Sequence, residues 1–276
     1  MKMYDSLSIG DELREQLVVA RQIQQSLLPQ PDKNLPYVHA CSRTLPCYEI
    51  GGDYLDYFDL EEGRFFFALG DVAGKGISAA LLASKVQGIL STQSFLDTPL
   101  PDVISNLNRN LTKRGIDNRF VTFFFGILDS YGHCSYVNAG HDPPILVTLD
   151  GSLKELTEGE TVLGLFPEAQ YESHTTRLQP GDHLVLFTDG VVEALNAAGE
   201  EFGKERLYTL LHWKASATAS ELLSSLHEAV ASFTADTPQH DDISIMVLGY
   251  REPETPIITE QKQFVRDVSL IPILPV

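Results

Sequence analysis

Hydrophobic positions fall into three textures along the chain. In residues 11–28, DELREQLVVARQIQQSLL, the positions Leu13, Leu17, Ala20, Ile23 and Leu27 recur at steps of three or four. That period predicts one apolar stripe on a helix that Pro29 stops, with Glu, Arg and Gln on the opposite face. Such a helix packs on its own domain or pairs with a second copy of itself, and roughly two and a half heptads do not favour a coiled coil. From Tyr37 short apolar runs separated by turn signals take over. YLDYFDL, EEGR and FFFAL predict a hairpin over 54–69, followed by helices at 77–92 and 101–114 on either side of DTPLP. Strands are predicted at FVTFFFGILD, CSYVNAG and PILVTLD with SYGH and DG as turns, and a further strand pair around QPGD in TTRLQPGDHLVLFTDG. Helices follow near 203–214 and 218–233, the second opened by Thr218 with Glu221 three residues on, a capping box. ISIMVLGY reads as a closing strand, and residues 251–276 are proline-punctuated without a clear period. Antiparallel strands broken by paired helices predict an α+β fold with sheet buried under helices.

Composition narrows the class. A chain of 276 residues holds one large domain or two small ones with a substantial core. Its 43% hydrophobic and 21% charged residues are ordinary for a soluble globular protein. The formal charge, 20 − 38 = −18, argues against nucleic acid and anionic membrane as partners. It is compatible with divalent cations or a basic partner surface, and it makes the exterior solubilising. Cys41, Cys47 and Cys134 form no CxxC pair and leave an odd thiol, so neither a disulfide framework nor structural zinc is expected, and a reducing cytoplasm fits. The start lacks an apolar signal core and no run approaches 18 apolar residues, so a soluble cytoplasmic protein is expected. The sequon at Asn110 carries no weight without a secretory signal.

The candidate chemistry centres on FFFALGDVAGKGISAALL, residues 65–82. A nucleotide-binding P-loop needs four residues between its glycines and a hydroxyl after the lysine. Here Gly70 and Gly74 enclose three residues and Lys75 precedes Gly76, so that reading fails. The acidic residue remains. Asp71 lies at the carboxyl end of a predicted strand, Asp53 closes IGGD before another, Asp189 ends LVLFTDG, and Asp241 and Asp242 open the last strand. One aspartate at a strand end ordinarily caps a turn. Several in one pocket would repel each other and raise each other's pKa values unless cations neutralised them. Oxygen-only ligands suit Mg²⁺ or Mn²⁺ rather than zinc, and the neighbouring glycines allow close approach.

Six segments, IGGDYLDYF, LGDVAGKGISAALL, RFVTFFFGILD, YVNAGHDPP, LVLFTDGVVEALNAAGEEFG and DDISIMVL, occur in the order seen in SpoIIE-like phosphatases. These form the bacterial branch of the PPM (type 2C) metal-dependent serine/threonine phosphatases, and the resemblance covers roughly residues 12–250. The leading ELREQLVVARQIQQSLLP also resembles the helix ahead of the phosphatase domain in stress-response and sporulation regulators of this branch. The division expected is a linker or dimerisation helix over 1–30, a phosphatase domain over 31–250, and a tail over 251–276.

The resemblance implies a four-layer α-β-β-α sandwich of two antiparallel sheets, with a two-metal Mn²⁺ or Mg²⁺ centre at one end. Carried over by motif, Asp71 would bridge the metals and the Val72 carbonyl, Asp53, Asp189 and Asp241 would complete the ligands, with Asp241 preferred over Asp242. Asp71 and Asp189 are the catalytic positions. The implied reaction is phosphomonoester hydrolysis by a metal-activated water attacking in line. No basic phosphate clamp of the eukaryotic relatives has a match, which leaves Lys75 and Arg119 as candidates, and His141 in NAGHDPP is read as a structural hydrogen-bonding residue. The substrate implied is phosphoserine or phosphothreonine on a STAS-type anti-sigma-factor antagonist, acting in partner switching. With ten residues ahead of the 11–28 helix, the activating sensor is expected on a separate protein, or the chain is a fragment. The alternative is an inactive phosphoprotein-binding module, whose signature would be a missing site aspartate; all four are present.

Overall fold

The computed structural model describes residues 6–93, 95, 98–113 and 119–253. Helix α1 (Ser6–Leu27) leads into β1 (Asp32–Asn34) and β2 (Val38–Leu45). The hairpin β3 (Tyr54–Leu60) and β4 (Arg64–Val72) precedes helices α2 (Ile77–Leu90) and α3 (Leu100–Lys113). Strands β5 (Val121–Asp129), β6 (His133–Ala139), β7 (Ile145–Val147), β8 (Leu153–Glu155), β9 (His174–Arg177) and β10 (His183–Phe187) follow. The chain then runs through α4 (Asp189–Val192), α5 (Gly203–Trp213) and α6 (Ala219–Thr234) to β11 (Ile243–Tyr250). The predicted tail lies outside the described residues beyond Pro253.

Two antiparallel sheets result, one in the order β1-β2-β11-β10-β7-β8 and one in the order β3-β4-β5-β6-β9. Alternation along the strands explains the stacking. In β4, Phe66 and Ala68 face α2 and α3, whereas Phe65, Phe67 and Leu69 face the other sheet. In β5, Phe123 and Phe125 take the helix side and Phe124 the inter-sheet side. In β11, Met246 and Leu248 point between the sheets while Ile245 and Val247 lie under α5 and α6. Both faces of the central strands β4 and β11 are covered, which is why FFFAL and ISIMVL read as unbroken apolar runs. Each fully buried Phe stabilises the fold by roughly 1.5–3 kcal/mol. The architecture is the expected four-layer sandwich.

One expectation changes in detail. Residues 174–187 do form two strands around QPGD, but they do not pair: β9 hydrogen-bonds β6 and β10 lies between β7 and β11 in the other sheet. The Pro-Gly turn carries the chain from one sheet to the other. Helix α1 keeps its apolar stripe largely uncovered, with Leu13, Ile23 and Leu27 exposed and Leu17 and Ala20 half-buried, beside the half-buried Gln24. The capping box at α6 is present: Glu221 N donates to Thr218 Oγ1 at 3.3 Å and Thr218 N donates to Glu221 Oε2 at 2.9 Å. Among the described residues no helix is long and apolar enough to cross a membrane.

Candidate functional site

Four segments meet at the end of the sandwich where β4 and β10 finish and β3 and β11 begin. Asp71 is the penultimate residue of β4, Asp53 immediately precedes β3, Asp189 starts α4 after β10, and Asp241 and Asp242 precede β11. Close backbone approach makes the convergence feasible. A side chain on Gly52 would lie 2.7 Å from Ala79 Cβ and 3.3 Å from the Val72 carbonyl oxygen, and one on Gly190 would strike the Asp242 carbonyl at 2.0 Å. Only glycine fits at either place.

The five aspartates divide by their partners. Asp242 accepts two backbone N–H bonds, from Cys47 at 2.7 Å and Gly52 at 2.6 Å, so its carboxylate ties down the 47–52 loop. Asp53 is buried and accepts from the Thr188 hydroxyl at 3.0 Å. Asp241 Oδ2 pairs with Lys75 Nζ at 2.8 Å, and the same ammonium donates to the His240 carbonyl. Burial, then the neighbouring Asp71, holds the Asp53 carboxyl well above the usual carboxylate range. Burial, then Asp189, Asp241 and Asp242, pushes Asp71 up to about 7, which Lys75 offsets in part. Burial, then Glu193, Asp241 and Asp142, pushes Asp189 up to about 6. These carboxylates therefore disfavour one another's charge at this partly desolvated end of the sandwich, which is the electrostatic condition that a hard cation relieves. The donor set, all oxygen, fits Mg²⁺ or Mn²⁺.

The remaining predicted residues lie around this cluster. Lys75 reaches it through Asp241. Arg119 donates from Nη1 to the Ala73 carbonyl at 3.0 Å and so braces the turn after Asp71. His141 is buried, with Nδ1 2.9 Å from the Thr122 hydroxyl, and Thr122 is the cross-strand partner of Asp71. Asn138 and His141 also exchange side-chain to backbone bonds at 2.8 and 3.1 Å. Sequence reasoning missed Thr188, whose hydroxyl links Asp53 to the Ser244 backbone N–H at 3.0 Å, and Gln24 of α1, which bonds Gly51. The LVLFTDG segment contained Thr188, but nothing local indicated a partner 135 residues away.

Comparison with known proteins follows the same lines. The family model described as Stage II sporulation protein E (SpoIIE) matches residues 61–251, a span that holds Asp71, Asp189 and Asp241 and leaves Asp53 ahead of it. Protein IcfG of Synechocystis is 28% identical over 86% of this chain and 42% of its own length. Phosphoserine phosphatase RsbU of Bacillus subtilis is 26% identical over 87% of this chain and 71% of its own length. The chain thus spans less than half of IcfG and about seven-tenths of RsbU. The SiaA-PP2C domain of Pseudomonas aeruginosa shares the fold with a TM-score of 0.75 at 20% identity, covering 88% of this chain and 98% of that domain. With the model matched over more than half its length, the chain belongs to the SpoIIE family.

Proposed function

We propose that this protein is a metal-dependent serine/threonine protein phosphatase that hydrolyses phosphoserine or phosphothreonine on a regulatory protein. The observation that carries the reading is that Asp53, Asp71, Asp189 and Asp241 lie close enough at one end of the sandwich for burial and repulsion among these acidic groups to raise Asp53, Asp71 and Asp189. The ligands in this reading are those four carboxylates and the Val72 carbonyl, holding two or more Mn²⁺ or Mg²⁺ ions. Bound there, the ions supply a nucleophilic water near neutral pH and charge to offset the phosphate oxygens. The chain's own part is positional. Thr188 orients Asp53, Asp242 fixes the glycine loop, Arg119 holds the turn behind Asp71, and Lys75 pairs with Asp241, with Lys75 and Arg119 both within reach of this end of the sandwich as candidates to meet a phosphate oxygen. No side-chain nucleophile is required.

The similarity to RsbU, a phosphoserine phosphatase by name, supports phosphoserine as the group hydrolysed, and the proposal places it on a STAS-type regulator within a partner-switching circuit. Three free cysteines support the cytoplasm as the compartment. The test is turnover of p-nitrophenyl phosphate with and without Mn²⁺. Metal-dependent hydrolysis is expected; binding of a phosphoprotein without any turnover would favour the inactive-module alternative. Capture of partners on the Asp71→Asn protein then identifies the substrate, and recovery of only unphosphorylated proteins would remove the STAS-type assignment.

A second reading concerns residues 1–30 as a linker that pairs two copies and receives a signal from a separate sensor protein. Its support is the exposed stripe of α1, which with Ile77 and Leu81 of α2 lines an apolar groove of about 320 Å³. Light scattering on the full chain and on a Leu13→Glu/Ile23→Glu variant checks it: a dimer that the variant converts to a monomer is expected, and a monomeric mass for both rejects pairing.

A further inference from the structure

The first two strands carry a second group of ligating side chains, away from the carboxylate cleft. Asp32 of β1 stands opposite Cys41 of β2 in the antiparallel register, and His39 precedes Cys41 by two residues, so all three occupy one face of the ladder. Cys41 packs under the α5–α6 layer while its neighbours Val38 and Ala40 point between the sheets, which makes this the outer face. Leu45 of β2 pairs with Ile243 beside the cleft, and Cys41 lies four residues farther along, roughly 13 Å away.

The three side chains converge on one point. His39 Nε2 is 3.0 Å from Asp32 Oδ1 and 3.2 Å from Cys41 Sγ, and the three ligating atoms all lie within 4.8 Å of one another. A single ring nitrogen faces both a carboxylate and a sulfur. One N–H cannot serve both well, and the ring presents no other polar atom to them. Atoms held at about 2.0–2.3 Å around a tetrahedral zinc lie roughly 3.3–3.6 Å apart, close to the two spacings that His39 Nε2 makes here. We infer that Asp32, His39 and Cys41 form a binding site for a borderline-soft divalent cation, Zn²⁺ in the first instance, which ties β1 to β2.

Chemistry separates this site from the cleft. A thiolate and an imidazole select zinc-like ions over Mg²⁺ and Mn²⁺, so the two sites take different metals. Asp32 is exposed and His39 half-buried, which leaves the site reachable from solvent, and Asp32 and Cys41 also border a cavity of about 460 Å³ beside Ser220 and Ser224 of α6. That cavity offers the fourth coordination position to water or an exogenous ligand. Cys41 is no free nucleophile: burial, with Asp32 adding, pushes its thiol up to about 12 in the metal-free chain. The absence of a CxxC pair concealed the site, because its ligands meet across a strand ladder rather than along one turn.

The experiment is a Co²⁺ titration of the full chain whose carboxylate cleft has first been saturated with Mg²⁺. One equivalent of Co²⁺ is expected to give a near-ultraviolet thiolate-to-cobalt charge-transfer band that Zn²⁺ abolishes. The band disappears in Cys41→Ser and persists in Cys47→Ser, Cys134→Ser and Asp71→Asn. Absence of the band in the native protein, or its survival in Cys41→Ser, overturns the assignment. Because Cys41 is a core residue, Asp32→Asn at an exposed position supplies a variant that keeps its fold; its Co²⁺ affinity falls by about tenfold or more. Unchanged affinity there also overturns the site.

Discussion

The side-chain amide of Gln24 closes on the backbone of Gly51: Nε2 donates to the carbonyl at 2.8 Å and Gly51 N donates to Oε1 at 3.1 Å. One residue later Gly52 N holds Asp242, and the next residue is Asp53. Helix α1 therefore touches the loop that presents the first site carboxylate, although most of its apolar stripe faces outward.

The first prediction tests that link. Gln24→Ala removes two part-buried hydrogen bonds, each contributing about 1 kcal/mol. Turnover of p-nitrophenyl phosphate at limiting Mn²⁺ is expected to fall roughly fivefold, with recovery at saturating metal as Asp53 is recaptured. Equal turnover at every Mn²⁺ concentration would show that α1 does not position the loop.

Asp241 and Asp242 are adjacent, yet substitution should affect them differently. Asp242 carries the two bonds to Cys47 and Gly52, so Asp242→Ala leaves both donors unsatisfied and lowers stability by about 3 kcal/mol in a denaturant titration of metal-free protein. Asp241→Asn removes a half-exposed partner of Lys75 and one source of repulsion on Asp71 and Asp189, so stability changes by less than about 1 kcal/mol while Mn²⁺ affinity drops. Equal destabilisation by the two changes would contradict this division.

Stability of the metal-free protein should depend on pH through Asp71. Its carboxyl is raised from 3.8 to about 7, so the folded form keeps the proton longer than the unfolded chain. That contribution is fully present below pH 4 and is lost as pH rises through 7, by a few kcal/mol. In thermal melts with chelator present, Asp71→Asn shrinks this decline to the part that Asp53 and Asp189 contribute and is more stable than the native protein at pH 8. Adding Mn²⁺ at pH 8 restores the native protein and leaves the variant nearly unchanged.

His141 gives the opposite slope. Burial lowers its imidazole to about 4, with Asp142 offsetting part of the effect. The stability it contributes is complete above the ordinary value of 6.5 and is lost as pH falls toward 4, by up to roughly 3 kcal/mol. A His141→Gln protein is less stable at neutral pH and shows a flatter acid limb over that window; an unchanged limb would mean that His141 does not titrate there.

How much the sequence disclosed depended on where each residue's partner lies. FFFAL and ISIMVL were legible as strands because both faces are buried, and Asp71, Asp189 and Asp241 stood out at strand ends within ordered motifs. Strand β2, which lies between β1 and β11, escaped notice because Ser42, Arg43 and Thr44 break its apolar run. QPGD misled because a Pro-Gly turn signals a reversal without saying whether the strands share a sheet. Gln24, Thr188 and the Asp32–His39–Cys41 group were invisible because their meaning lies in contacts between separate strands and helices.

Calorimetric titration of Mn²⁺ into metal-free native protein and Asp71→Asn measures the central claim most directly. At least two ions are expected to bind the native chain, with fewer and weaker ions in the variant. A native protein that takes up no Mn²⁺, or a variant indistinguishable from it, would contradict a metal centre built on these aspartates.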